Sequence, residues 1–277
     1  MKRAVALSAL ACLLAVTAAA PAVSDAPAGG GGVGVTPAAA RKASALDTVP
    51  RRGVLRVCTT GDYRPFSHLD PATGRYSGID ITMARDLAKS LDATPRYVAT
   101  TWAGLVGDLS AGRCDIAMGG VSVTLRRARS VSFSEPTRTD GKTPVVRCAD
   151  KGKYQSLAQI DRPGTRVIVN PGGTNEEFAR AHLKRARLTV HPDNTTIFDE
   201  IIKGRADVMM TDASETRYQA KIHPELCSLH PDKPFSFSEK AYALPRGDHD
   251  FTAYVDQWVH LATHDGTYRK YEDAWMK

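Results

Sequence analysis

Two stretches of the sequence share one pattern: AGRCDIAMGG at residues 111–120 and KGRADVMMTD at residues 203–212. Each places Gly-Arg-x-Asp directly before a short apolar run. Glycine commonly ends a helix, and a short apolar run after it is typical of a buried strand. The repetition predicts two similar α/β lobes in one chain.

The residues around each stretch alternate between short apolar strands and amphipathic helices. Ile79, Met83, Leu87 and Leu91 are spaced by four, which predicts one helical face. This alternation predicts parallel sheets covered by helices. The first lobe is expected to contain strands at 54–59, 96–99 and 115–118, with helices at 79–91 and 102–109. The second is expected to contain strands at 167–169, 188–190 and 207–210, with helices at 176–183 and 197–202.

Two segments are expected to cross between the lobes, DGKTP at 140–144 and PDKPFSF at 231–237. Residues 241–244 and the final amphipathic helix would then return to the first lobe. The predicted lobes are residues 48–143 with 236–277, and residues 144–235. A cleft between two such lobes is a usual place for a small ligand.

The amino terminus has the features of an export signal over residues 1–20. Lys2 and Arg3 precede an apolar run at 4–16, which is short for a bilayer span, and small residues follow. An uncleaved anchor and lipidation at Cys12 are the alternatives. Residues 21–47 are rich in Ala, Gly and Pro without an apolar period and predict a disordered linker. The expected location is therefore periplasmic or secreted, with no stable membrane insertion after signal cleavage.

Composition narrows the class of protein. Of 277 residues, 42% are hydrophobic and 24% charged, which excludes a collagen, a coiled coil and a wholly disordered chain. The formal charge is +7, but the basic residues are scattered and no nucleic-acid-binding motif accompanies them. We therefore expect no nucleic-acid partner.

Four cysteines follow the signal, and export permits disulfides. We expect a bond between Cys148 and Cys227, with free buried thiols as the alternative. Cys58 and Cys114 are expected to be less able to bond. If they lie at opposite ends of neighbouring parallel strands, an offset of about four residues at about 3.3 Å each is too long for a disulfide.

No cofactor or metal is expected. The eight histidines show no ligand spacing, and the glycines form neither a phosphate loop nor a dinucleotide fingerprint. Signatures of serine and cysteine nucleophiles are also absent.

Several motifs resemble those of solute-binding proteins that serve amino-acid uptake, over about residues 51–277. They are GDYRPF at 61–66, GID at 78–80, TLRRARSVSFS at 124–134 and the stretch at 204–212. Within that group, NPGGTNEEFAR at 170–180, HPDNTTIF at 191–198 and HPELC at 223–227 resemble the cyclohexadienyl dehydratases. The resemblance implies a type II periplasmic-binding-protein-like α/β fold, with two hinge strands and a cleft between the lobes. It also implies conversion of prephenate to phenylpyruvate and of arogenate to phenylalanine.

Prephenate is a dianion whose ring hydroxyl leaves as carbon dioxide departs, so its site needs cations and an acid. The resemblance places Arg127 where a guanidinium grips a ligand carboxylate. Arg126 and Arg129 are expected to be solvated.

The segment at 170–177 is expected to be a glycine turn that opens a helix. Thr174 would be the N-cap and Glu177 would complete a capping box, while Thr174 and Asn175 would bind the second carboxylate. Glu176 is the predicted general acid, because enclosure beside a dianion raises the pKa of a carboxyl group. The alternative is a solvated glutamate at a helix start.

The remaining substrate-binding residues follow from their positions in the resemblance. Asp212 occupies the position where amino-acid binders hold an ammonium group, Tyr63, Phe66 and Trp102 would enclose the ring, and core packing is the competing role for Phe66 and Trp102. The other predicted members of the site are Thr60, Asp62, Gly119, Gly120, Ser122 and Lys142.

The sequence therefore predicts an exported dehydratase, a carbon–oxygen lyase acting on small dianions. A non-catalytic amino-acid-binding protein of a transporter is the main alternative. A structural or sensory role has no residue in its favour.

Overall fold

The computed structural model describes residues 43–277. The predicted signal at residues 1–20 and the predicted linker up to residue 42 lie outside the described residues. The strands are β1 (Val54–Thr59), β2 (Asp62–Tyr63), β3 (Ser67–Leu69), β4 (Tyr76–Ser77), β5 (Thr94–Ala99), β6 (Ile116–Ala117), β7 (Val131–Phe133), β8 (Arg138–Asp140), β9 (Lys142–Arg147), β10 (Arg166–Val169), β11 (Arg187–Val190), β12 (Val208–Asp212), β13 (Leu226–Ser228), β14 (Ser238–Lys240) and β15 (Ala243–Pro245).

The helices cover the two larger sheets, and a short 3-10 helix occupies Cys148–Lys153. They are α1 (Ala45–Arg52), α2 (Ile79–Ser90), α3 (Leu105–Ser110), α4 (Leu125–Ala128), α5 (Leu157–Ile160), α6 (Thr174–His182), α7 (Ile197–Ile202), α8 (Ala213–Ile222), α9 (His249–His264) and α10 (Thr267–Met276). Within residues 43–277, no helix combines the length and apolar character needed to cross a membrane.

Two five-stranded sheets form the two lobes. The first has the order β5-β1-β6-β15-β7 and the second has the order β11-β10-β12-β9-β13. The α/β class and the two lobes are therefore confirmed, but the sheets are mixed rather than parallel. β15 runs antiparallel to β6 and β7, and β9 runs antiparallel to β12 and β13. These antiparallel strands lie next to the crossings, so they enter their sheets from the opposite direction.

The repeated Gly-Arg-x-Asp pattern has the same structural role in each lobe. Asp115 accepts a hydrogen bond from the backbone amide of Arg56 at 2.8 Å and pairs with its side chain. Asp207 likewise accepts a hydrogen bond from the backbone amide of Arg166 at 2.9 Å and pairs with the Arg166 side chain. Each aspartate thus connects a neighbouring strand to the start of β6 or β12. The carboxyl ends of these two strands consequently occupy corresponding positions in the two lobes.

The two crossings pair with each other. β8 and β14 form an antiparallel ribbon in which Ser238 is opposite Asp140 and Lys240 is opposite Arg138. This ribbon brings Lys240 next to the first lobe, where it also bridges to Ser122. The exact lobe boundaries at 143 and 235 stay a prediction.

The predicted linker ends too late. α1 begins at Ala45, inside the segment assigned to the linker, because the chain there is capped and packed. Ser44 Oγ accepts from the Leu46 amide, and Asp248 Oδ2 accepts from the Ala45 amide at 2.7 Å. Val49 is fully buried against α9. These contacts are distant in sequence, so composition alone did not reveal them.

Both pairs of cysteines are bonded. The Cys148–Cys227 disulfide is confirmed, with Cα atoms 4.9 Å apart. The expectation for the other pair is wrong, because Cys58 and Cys114 are bonded with Cα atoms 5.6 Å apart. Cys114 precedes β6, which begins at Ile116, so the spacing of an extended strand does not apply to it.

Candidate functional site

A small cavity lies between the carboxyl ends of strands from the two sheets. Polar residues from both lobes make up most of its lining. The lining residues are Tyr63, Trp102, Gly120, Ser122, Asn170, Gly173, Thr174, Asn175, Asp212 and Lys240. Seven of these ten were predicted; Asn170, Gly173 and Lys240 were not.

Asp212 is the centre of the cavity's charge. It lies at the end of β12, and its Oδ1 is 2.8 Å from Lys142 Nζ. Its Oδ2 accepts from Lys240 Nζ at 2.6 Å and from the Tyr63 hydroxyl at 2.6 Å. Burial opposes ionisation of Asp212, but the charges of Lys142 and Lys240 outweigh it and hold its pKa well below the usual value.

Lys142 extends from β9 to the opening of α6. Its ammonium group donates to Thr174 Oγ1 at 2.9 Å and to Asn175 Oδ1. Asn175 Nδ2 in turn donates to Asn170 Oδ1 at 2.8 Å and to Thr211 Oγ1 at 2.9 Å. The site therefore has a continuous polar network along one wall.

The predicted capping box at this turn does not form. Gly173 is the N-cap and Thr174 is the first helical residue, because the Thr174 hydroxyl bonds to Lys142 instead. The side chain of Glu177 is 47% exposed and pairs with Arg126 of the other lobe.

Arg127 is a buried cation that forms no ion pair with a carboxylate among the described residues. It is 3% exposed and donates to the Ser122 carbonyl at 2.9 Å, whereas Arg126 and Arg129 are exposed. Burial lowers the pKa of Arg127, and the charge of Glu177 offsets part of the effect. A ligand carboxylate is the natural partner for a desolvated guanidinium.

The predicted aromatic residues lie together. Tyr63 stacks on Phe66 at 5.5 Å between ring centroids and meets Trp102 edge-on at 5.3 Å. Phe66 is fully buried and contributes to the core as well as supporting Tyr63. The Trp102 indole donates to Asp62 Oδ1 at 3.1 Å. Burial raises the pKa of Asp62, against the hydrogen bond from Trp102.

The amides of Gly119 and Gly120 were expected to be available to ligand, but they are already bonded. Both donate to Asp80 Oδ2, at 3.0 and 2.6 Å. Gly120 has φ +74°, and a Cβ there would lie 2.6 Å from the rings of Tyr63 and Phe66. Glycine is therefore required for the turn to pass behind the aromatic pair.

The structure does not place Glu176 as its predicted role requires. Its carboxylate accepts from the Gly172 amide at 2.8 Å and from Arg180 Nε at 2.8 Å, and its side chain is 20% exposed. The Gly172 amide and Arg180 lower its pKa. These contacts stabilise the charged form, whereas a general acid must keep its proton. Neither Glu176 nor Glu215, the other acidic candidate, is among the residues that line the cavity.

Glu215 has the opposite environment. It is 1% exposed and lies one turn into α8, three residues after Asp212. Its Oε2 is 2.5 Å from Thr211 Oγ1, and its Oε1 accepts from Asn194 Nδ2 at 3.2 Å. Burial raises the pKa of Glu215 to about 8, against the hydrogen bond from Thr211. Asn194 also donates to the Asp62 carbonyl at 2.9 Å, so Glu215 lies in the layer where the lobes meet.

The sequence analysis missed Lys240 and Glu215. Lys240 follows a crossing segment and has no motif of its own, so only the β8–β14 pairing places it in the cavity. Glu215 had a weak signal. It follows Asp212 by three residues on the next helix, at the strand end where ligands bind in such folds.

Residues 55–277 match the family model described as bacterial extracellular solute-binding proteins, family 3. The chain belongs to this family. This solute-binding protein is 53% identical over 234 residues to a cyclohexadienyl dehydratase of Pseudomonas aeruginosa, a match that covers 84% of this chain and 87% of that one.

Members of the family that bind amino acids are more distant. The L-cystine-binding protein TcyJ of Escherichia coli is 26% identical, with 83% of this chain and 85% of that protein covered. The crystal structure of an ancestral amino-acid-binding protein, described as a precursor of cyclohexadienyl dehydratase, is 35% identical. The two structures superpose with a TM-score of 0.78, and the match covers 84% of this chain and all of that one.

Proposed function

We propose that this solute-binding protein is an exported cyclohexadienyl dehydratase that converts prephenate to phenylpyruvate and arogenate to phenylalanine. The observation that carries the proposal is Glu215, a buried carboxyl group whose pKa is raised to about 8 where the lobes meet. A protonated carboxyl group at this place can supply the proton that the dehydration requires. The 53% identity to a cyclohexadienyl dehydratase supports the same reading.

The proposed reaction needs one proton and no redox partner. Glu215 donates its proton to the ring hydroxyl, the carbon–oxygen bond breaks and water leaves. The bond to the ring carboxylate breaks at the same time, its electron pair enters the ring and carbon dioxide departs. Formation of the aromatic ring drives the step, and Glu215 regains a proton from solvent.

The other residues would bind and orient the dianion. Arg127 would pair with one substrate carboxylate, and Lys142 with Thr174 and Asn175 would hold the other. Tyr63 and Trp102 would face the ring. Because these cations and donors are fixed before the substrate arrives, they stabilise developing charge without reorganisation.

Turnover of prephenate by the Glu215→Gln variant tests the proposal, with Glu176→Gln as the matched control. We expect Glu215→Gln to retain binding and to lose roughly two to four decades of rate, the usual contribution of a general acid. Glu176→Gln should stay within about threefold of the wild-type rate, because its carboxylate makes surface contacts. Phenylpyruvate formation is followed by absorbance.

The pH profile provides a second readout. With Glu215 as the acid, kcat/KM should be flat near neutral pH and should fall above about pH 8 as the carboxyl ionises. If Glu176→Gln loses turnover while Glu215→Gln keeps it, the assignment of the acid to Glu215 is wrong. Absence of turnover in the wild type, with stoichiometric binding, would identify a passive binder.

A further inference from the structure

Asp212 is the one carboxylate that lines the cavity, and each of its oxygens lies beside a lysine, although only Oδ2 accepts a hydrogen bond. Oδ1 is 2.8 Å from Lys142 Nζ, and Oδ2 accepts from Lys240 Nζ at 2.6 Å. Lys240 itself is 1% exposed, so this pair is shielded from water. An ammonium group on a ligand would have to displace one lysine from a desolvated ion pair, which is costly.

The ammonium groups of the two lysines already contact oxygen atoms of neighbouring side chains. Lys240 Nζ also donates to Ser122 Oγ at 2.8 Å and to the Tyr63 hydroxyl at 3.3 Å. Lys142 Nζ donates to Thr174 and Asn175 as well as facing Asp212. Each lysine thus has three acceptors around it. A ligand oxygen can replace one of these acceptors, whereas a ligand N–H cannot.

The remaining charge of the site also favours anions. Lys142, Lys240 and Arg127 are cationic and Asp212 is anionic, while Glu215 keeps its proton at neutral pH. Asp62 is a further carboxylate close to Trp102, but it accepts from the Trp102 indole and does not line the cavity. The one carboxylate that lines this cavity is therefore already paired in charge with two lysines, and the lining holds no second one for an α-ammonium group.

We propose that Lys240, together with Lys142, makes this cleft selective for α-keto carboxylates over the corresponding α-amino acids. Within the proposed function, on which this inference rests, prephenate is then preferred to arogenate. Lys240 acts as a specificity-determining residue because it occupies the carboxylate that a ligand ammonium would need.

Calorimetric binding of phenylpyruvate and L-phenylalanine to the purified protein tests the proposal. The two ligands share one carbon skeleton and differ only in the keto or ammonium group. We expect phenylpyruvate to bind wild type at least about tenfold more tightly. In Lys240→Met, Asp212 loses the positive charge beside Oδ2 and keeps only the Tyr63 hydroxyl there, so this preference should fall by about tenfold or more.

Tyr63→Phe is the matched control, because it removes a hydrogen bond to the same Asp212 oxygen without changing any charge. It should weaken both ligands alike and keep the preference within about threefold. Lys240→Gln serves as a second variant if Lys240→Met does not fold. The wild-type preference is informative without any variant.

Equal or tighter binding of L-phenylalanine by wild type would overturn the proposal, as would failure of phenylpyruvate to bind. A preference unchanged in the folded Lys240 variants would also overturn it, because Lys240 would then only hold the lobes together. Binding of these products needs no turnover. An inactive protein that shows the expected preference would therefore refute the dehydratase and leave the selectivity standing.

Discussion

At the scale of single residues, environment rather than residue type decides which glutamate can serve as an acid. Glu176 and Glu215 both lie in the first turns of helices that follow strand ends. A backbone amide and an arginine surround the first and lower its pKa, while burial raises the pKa of the second to about 8. The same side chain thus has opposite protonation states at neutral pH.

The raised pKa of Glu215 predicts a pH dependence of stability. The folded protein keeps this proton up to about pH 8, whereas the unfolded chain releases it near the ordinary value of 4.5. Folding therefore binds a proton between these pH values, and the free energy of unfolding should fall as pH rises through this range. Asp80, with a pKa raised to about 6, contributes with the same sign over a narrower range.

Thermal unfolding of wild type and Glu215→Gln between pH 5 and pH 8 measures this effect. The glutamine has no proton to lose, so the Tm of the variant should fall less over this range than that of wild type. Parallel curves for the two proteins would mean that Glu215 is not protonated in the folded state.

At the scale of elements, the two disulfides fasten different parts of the sheets. The Cys148–Cys227 disulfide connects the end of β9 to β13 and is half-buried. The Cys58–Cys114 disulfide lies beside α3, and both of its cysteines are buried. They close loops of similar size, with sequence separations of 79 and 56. Their entropic contributions should therefore be similar.

Replacing each pair by alanine separates loop closure from packing. Removing Cys148–Cys227 should lower the free energy of unfolding by about 2–4 kcal/mol. Removing Cys58–Cys114 should cost more, because it also leaves a cavity in the core. Urea denaturation of the two double variants checks the order. A smaller loss for the Cys58–Cys114 variant than for the Cys148–Cys227 variant would show that the surrounding core fills the cavity.

At the scale of the whole molecule, contacts outside the cavity also join the lobes. Trp275 of α10 meets Tyr218 of α8 at 5.8 Å between ring centroids, and its carbonyl accepts from Lys221 Nζ at 3.0 Å. α10 packs on α2 of the first lobe, while α8 packs on β9 and β13 of the second. The carboxyl-terminal helix therefore contributes to the contact between the lobes.

Trp275→Ala should weaken ligand binding without touching the cavity. Contacts made only when the lobes meet favour that state, and losing them lowers the fraction of binding-competent protein. We expect affinity for phenylpyruvate to fall about three- to tenfold. Leu261→Ala is the control, since Leu261 is 64% exposed on α9. Equal affinities of the two variants would contradict a role for α10 in closure.

The sequence by itself determined the two-lobed α/β plan, because the repeated Gly-Arg-x-Asp pattern and the helical and strand periods are local. It also predicted Arg127, Lys142 and Asp212 as site residues, through motifs shared with the family it resembles, and of these Asp212 lines the cavity. It did not place Lys240, which reaches the cavity only because β14 pairs with β8 about 100 residues away in sequence. Nor did the sequence show that the pKa of Glu215 is raised while that of Glu176 is lowered. The protonation state of a carboxyl group depends on burial and on partners from distant segments, and only the tertiary structure brings those together.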